Sequence, residues 1–205
     1  MINEKFVLLG AAIGSVGAAR YILDTLRGRT KPNRVSWSIW ALAPMIAFAA
    51  EIKQGVGLRS LVTFTAGFIP MLVVLASLIS KKSVWRLRRF DYLCGLLAIF
   101  GIIAWQLTGK GNTAIFFSIL ADGFAGVPTI VKSYKYPETE NHLAYTLFIF
   151  NAGITLLTIK SWTFENYAFP LYLFTLNAFL ACLIRFKIGR RLSTKGFKLG
   201  GVKYN

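Results

Sequence analysis

Apolar residues gather into seven long runs, 6–26, 35–52, 58–80, 92–109, 113–134, 142–160 and 165–186, separated by short polar stretches. A helix needs about 20 mostly apolar residues to cross the hydrocarbon layer of a bilayer. The pattern therefore predicts an all-α membrane protein with seven transmembrane helices and no soluble domain between them. The first run follows Glu4 and Lys5 without a basic leader or a small-residue cleavage site. It is expected to be a retained helix and not a signal peptide.

Composition and charge sharpen this picture. Hydrophobic residues make up 55% of the 205 residues and charged residues 16%, against roughly 25% charged in soluble domains; mean hydropathy is +0.55. A net charge of +16 would first suggest nucleic acid in a soluble chain, but here the charges lie between apolar runs. Of the 24 Lys and Arg residues, 18 fall in the loops after the first, third and fifth runs and in the tail, and 5 in the alternate loops and N-terminus. Cytoplasmic loops are enriched in Lys and Arg. The split predicts a cell-membrane protein with its N-terminus outside and C-terminus in the cytoplasm, and argues against a nucleic-acid partner. The tail 187–205 is basic, and reads as a solvated segment or one that touches anionic headgroups.

The chain also matches itself at an offset of 108 residues, without a gap from Gly10 to Ser80. Run 1 overlays run 5, run 2 overlays run 6 and run 3 overlays run 7. Asn33 falls on Asn141, Trp37 on Tyr145, Trp40 on Phe148, Ile22 on Ile130 and Ile46 on Ile154. An offset of four spans preserves orientation, so the units are parallel repeats. The expected organisation is a first three-helix bundle (6–80), a linker helix (92–109), a second three-helix bundle (113–186) and the tail.

This 3+1+3 arrangement resembles the SWEET and PQ-loop (MtN3-like) transporters, as a divergent prokaryotic-type member. Gly126-Val127-Pro128-Thr129 is similar to the Pro-Gln motif of that superfamily, with Thr129 in place of Gln; the counterpart in run 1 is Arg20-Tyr21. Ser36-Trp37-Ser38-Ile39-Trp40 with Pro44 resembles the region of the second helix where the family carries Pro-Tyr. Asn177 resembles the family's pocket Asn, and its counterpart in run 3 is Ile69, beside Pro70. The resemblance implies alternating-access transport of a small polar solute, a sugar first, bound between the two bundles.

Polar groups inside hydrocarbon need a reason. Asp122 lies deep in run 5 with no basic residue within a turn on its own helix, and could bind solute hydroxyls, carry a proton or serve as a capped structural acid. Asn151 and Asn177 lie mid-run and offer amides suited to a polyol or to bonding between helices. Trp40, one turn deeper than Trp37, could stack on a solute ring; Trp37, Trp85, Trp105 and Trp162 read as boundary anchors. Arg20 and Asp24, four apart, share a helix face and can pair, structurally or as an inner gate. Pro44, Pro70, Pro128 and Pro170 sit inside runs, where proline frees a carbonyl and bends the helix, and are candidate hinges. Gly10, Gly14 and Gly17 give the first helix a small face for close packing.

Catalytic machinery is not visible: there is no GxGxxG, Walker A or GxSxG element. His142 is the single histidine, and Cys94 and Cys182 lack metal-ligand spacing. Neither enzyme activity, a metal nor a cofactor is expected. The partners anticipated are the bilayer and a small solute, with self-association left open. The alternative is a non-transporting receptor, scaffold or accessory subunit whose working surface is the basic tail and loops.

Overall fold

A computed structural model describes residues 2–53, 60–108 and 111–194. Positions 58, 59 and 109 of the expected third and fourth runs, and the tail beyond 194, lie outside the described residues. Within these, all regular structure is helical. Seven long helices, α1 (Phe6–Leu26), α2 (Arg34–Lys53), α3 (Ser60–Ile79), α4 (Arg89–Thr108), α5 (Gly111–Lys135), α6 (His142–Thr158) and α7 (Phe164–Arg185), follow the seven apolar runs closely. A short α8 (Ile188–Thr194) gives the start of the tail a regular structure not expected for a solvated segment.

Among the described residues, four helical stretches are long and apolar enough to cross a membrane: α1, α4, Ile115–Lys135 of α5 and Asn166–Arg185 of α7. Arg34–Ala49, Phe64–Ile79 and α6 are shorter apolar helices. Large apolar side chains cover the outside, with Leu107 83%, Ile79 73% and Leu8 70% exposed. Such a surface suits lipid and not water, and the chain is consistent with a membrane protein.

The helix ends follow from local chemistry. Gly28 takes a left-handed backbone (φ 77°), the usual way to stop a helix, and the chain turns off α1 with Arg29 N–H and Thr30 N–H both on the Asp24 carbonyl. Asn33 caps α2, its Oδ1 accepting from Val35 N–H at 3.1 Å and Ser36 N–H at 3.3 Å. Asn141, which the 108-residue offset pairs with Asn33, caps α6 in the same way, accepting from Leu143 N–H at 2.9 Å and Ala144 N–H at 3.3 Å. Each amide also donates to a buried aspartate: Asn33 to Asp91 (3.0 Å) and Asn141 to Asp24 (2.5 Å). Replacing a side-chain N-cap by alanine costs about 1–2 kcal/mol. Asn33→Ala and Asn141→Ala are each expected to lower unfolding stability in detergent by about that much, with Asp variants, which keep the capping oxygen, retaining more. Unequal losses, one large and one absent, would show that the two caps are not equivalent.

Helix neighbours repeat as well. In the first half α3 touches both α1 and α2; in the second, α7 touches both α5 and α6. Between halves, α1 packs on α6 and α2 on α5, while α4 lies against α5 and α2. One core cluster spans both halves and includes Trp37 with Tyr145 and Val73 with Ala181, two pairs related by the same offset. Trp37 is therefore buried (3% exposed) against Tyr21, with ring centroids 4.7 Å apart, and is not a boundary anchor.

Small residues set the closest approaches. A Cβ on Gly10 or Gly14 would stand 2.9 Å and 3.1 Å from the Asn151 side chain, and one on Gly17 would stand 3.0 Å from Leu147 Cβ. The small face of α1 is thus the α1–α6 seam. Gly101 of α4 is as tight against α5: a Cβ there would meet Ala121 Cβ at 2.9 Å and Ala121 Cα at 3.0 Å. Overpacking typically costs about 1–3 kcal/mol. Gly101→Val is expected to lower the unfolding midpoint correspondingly, whereas an unchanged midpoint would mean that α4 and α5 do not pack here.

Candidate functional site

Two groups of polar side chains inside the helix bundle are candidates. The first is midway along α5. Asp122 Oδ2 accepts from the Tyr172 hydroxyl of α7 at 2.7 Å. The indole N–H of Trp40, on α2, reaches the Asp122 backbone carbonyl at 3.4 Å. Asp122 thus meets a helix of the other half and a helix of its own. All three side chains are half-buried. Gly123 and Gly126 lie beside them: a Cβ on Gly123 would be 3.7 Å from the Tyr172 hydroxyl, and one on Gly126 3.6 Å from both Trp40 and Leu176, ordinary contact distances. The described residues supply no salt bridge to Asp122.

Trp40 and Asp122, both singled out in the sequence, are therefore brought together. The other two candidates are not joined to them. Asn177 turns its amide onto its own helix, donating to Leu173 O at 2.8 Å. Asn151 packs its side chain on the glycine face of α1. Tyr172 was missed because, 50 residues from Asp122, it reads in sequence as one of several aromatics in an apolar run.

The second group closes the end of the bundle where the basic loops meet. Lys31 N–H donates to Thr139 O (2.9 Å), Ser80 Oγ to Leu26 O (3.3 Å) and Arg190 pairs with Glu138 at 2.7 Å. These bonds bring the loops after α1, α3 and α5 and the segment after α7 to one end. Inside it, Glu140 is the hub. Its side chain is fully buried and paired with the Lys132 ammonium, itself 1% exposed. It also accepts from the hydroxyls of Tyr21 (2.7 Å) and Tyr145 (3.2 Å). Lys132 donates in addition to the Lys31 carbonyl. Deeper in, Thr129 Oγ1 bonds Ser36 Oγ at 2.9 Å.

Arg20 and Asp24 pair as their spacing suggested, at 3.1 Å, and Arg29 approaches Asp24 at 3.5 Å. Asp24 is held across the halves by Asn141, so this pair belongs to the same closed end. Five of these bonds link the first half to the second, Lys31–Thr139, Lys132–Lys31, Tyr21–Glu140, Thr129–Ser36 and Asn141–Asp24, and several use ionised or fully buried groups. Charges removed from water are costly unless paired. Those five bonds between the halves would have to be exchanged if this end opened.

Pro44, Pro70, Pro128 and Pro170 lie inside α2, α3, α5 and α7. Pro128 is fully buried beside Thr129, between the two groups. Glu140 and Lys132 escaped sequence reasoning as a pair because each looked like an ordinary loop or helix-end charge. Their eight-residue separation across Pro137 was the available signal. Among the described residues, no group of three or more His, Cys, Asp or Glu side chains could hold a metal ion. No family model, curated protein or solved structure matches this chain.

Proposed function

We propose that all seven long helices cross the bilayer, that α1–α3 and α5–α7 form two like-oriented bundles joined by α4, and that the protein is a SWEET-like transporter. In this reading it moves a small polar solute, a sugar first, by alternating access. The N-terminus lies outside and the basic end faces the cytoplasm. Equivalent Asn caps 108 residues apart and the repeated pattern of helix neighbours support the two-bundle organisation. The uneven distribution of Lys and Arg supports the orientation.

The observation that carries the reading is the contact of Trp40, Asp122 and Tyr172 midway along α5, above an end closed in part by bonds between the halves. A carboxylate accepts hydroxyl protons, and an indole offers an apolar face to a sugar ring. Charge is unfavourable at such depth and is retained where it has work. Opening the Glu140 end while the other end closes would present the same three side chains to either side, with Pro44, Pro128 and Pro170 as the bends that permit it.

The test is uptake into proteoliposomes. Purified protein is expected to equilibrate at least one radiolabelled monosaccharide or small polyol faster than empty liposomes, and Asp122→Asn to reduce the difference sharply. Absence of uptake across a panel of sugars, polyols and amino acids would count against transport.

A further inference from the structure

Asp122 is an acid with no cation beside it. No salt bridge among the described residues reaches it. The nearest cation on its own helix, Lys132, is ten residues further on, about 15 Å along the axis, and is paired with Glu140. The Tyr172 hydroxyl takes one acceptor position of Oδ2, and a carboxylate offers about four. The surroundings are aromatic. The Tyr172 ring lies 6.0 Å from that of Phe169, tilted by 42°. Trp40 is held by its N–H on the Asp122 carbonyl and by Trp37, whose ring meets it edge-on with centroids 5.3 Å apart. Trp40, Phe169 and Tyr172 are all half-buried, as is Asp122.

A half-buried carboxylate deep in a bilayer is costly while it lacks a counter-charge. The hydroxyls of a neutral sugar can bond to it but leave its charge in place, and an anionic solute is repelled. A divalent metal ion takes about six or more oxygen ligands, and the rings beside Asp122 supply only the Tyr172 hydroxyl. An organic ammonium group neutralises the acid, donates hydrogen bonds to it and gains from nearby aromatic faces, tryptophan most of all. We propose that the solute of this site is a hydroxylated ammonium ion, an amino sugar or amino polyol, whose ammonium pairs with Asp122 while its carbon skeleton lies against Trp40 and Tyr172. This rests on the reading above that the Asp122 cluster receives the solute, and narrows that reading from small polar solutes to cationic ones.

Glucosamine, its neutral N-acetyl derivative and glucose make a graded set of probes, used at a pH where the amine is protonated and at matched ionic strength. Binding is read from the unfolding midpoint of the full-length protein in detergent, and uptake from proteoliposomes with the radiolabelled sugars. Glucosamine is expected to bind and to be taken up about tenfold or more better than either neutral sugar. Asp122→Asn should bring that ratio close to one, whereas Asp122→Glu, which keeps the charge, should preserve a preference for glucosamine. Competition in the parent protein needs no variant: unlabelled glucosamine should block labelled glucosamine uptake at about tenfold lower concentration than N-acetylglucosamine does. Preferential binding of glucosamine without uptake would support the solute class and count against transport. Neutral sugars bound and carried as well as glucosamine would overturn the ammonium proposal and leave the transport reading standing. A glucosamine preference undiminished in Asp122→Asn, or no binding and no uptake of glucosamine, would also overturn it.

Discussion

Glu140→Ala is expected to be the most destabilising single substitution in this protein. It removes the carboxylate from a Lys132 ammonium that is 1% exposed and strips the Tyr21 and Tyr145 hydroxyls of their acceptor. Breaking a buried ion pair by deleting one partner costs about 3–5 kcal/mol, because a charge is left in a low-dielectric site without compensation. Lys132→Ala should cost a similar amount. The double variant Lys132→Met with Glu140→Leu should recover most of the loss, since replacing both charges by apolar groups of similar size is often close to neutral. The measurement is reversible unfolding in mixed micelles for the four members of the cycle, with the coupling energy taken from the difference. Single variants within about 1 kcal/mol of the parent, or losses that simply add, would show that the pair is solvated.

Asp122→Asn should have the opposite signature, a large effect on transport with little on stability. Asp122 has no salt bridge among the described residues, and Asn keeps an oxygen for the Tyr172 hydroxyl. What is lost is the charge. Hydrogen bonds to a charged group contribute about 1.5–3 kcal/mol, so initial uptake is expected to fall about ten- to hundredfold. Tyr172→Phe removes only a neutral donor from the carboxylate and should have a smaller effect. Uptake by Asp122→Asn at the parent rate would remove Asp122 from the solute path. A fall in uptake that tracks an equal loss of folded protein would make it structural.

The two groups make different demands on the fold. The Glu140 hub needs a dry, closed environment, and it is built from short-range bonds between loops and helix ends. Asp122, in the proposed transport cycle, needs access, and its partners come from α2 and α7, which belong to opposite halves. A chain in which α5 takes part in both has one helix running from the closed end to the acid, with Pro128 between them.

Hydropathy alone located all seven long helices to within a few residues, because a run of apolar side chains is a local property that a helix preserves. The same holds for the Arg20–Asp24 pair, four apart on one helix, and for the small face of α1, whose spacing is helical. The 108-residue offset found Asn33 and Asn141 as equivalents, and capping depends only on the next few residues of chain. Contacts between helices were a different matter. Whether Tyr172 or Asn177 faces Asp122 depends on how α7 is rotated and at what depth it crosses α5. Neither quantity is written in periodicity. Glu140 and Tyr21 lie 119 residues apart, Trp37 is buried inside the bundle, and Asn151 fills the α1–α6 seam. By itself the sequence determined the helices, the basic loops and the 108-residue self-match that aligns the two Asn caps. Tertiary packing decided which polar side chains meet, because partners between helices are chosen by rotation and depth, which only the assembled bundle defines.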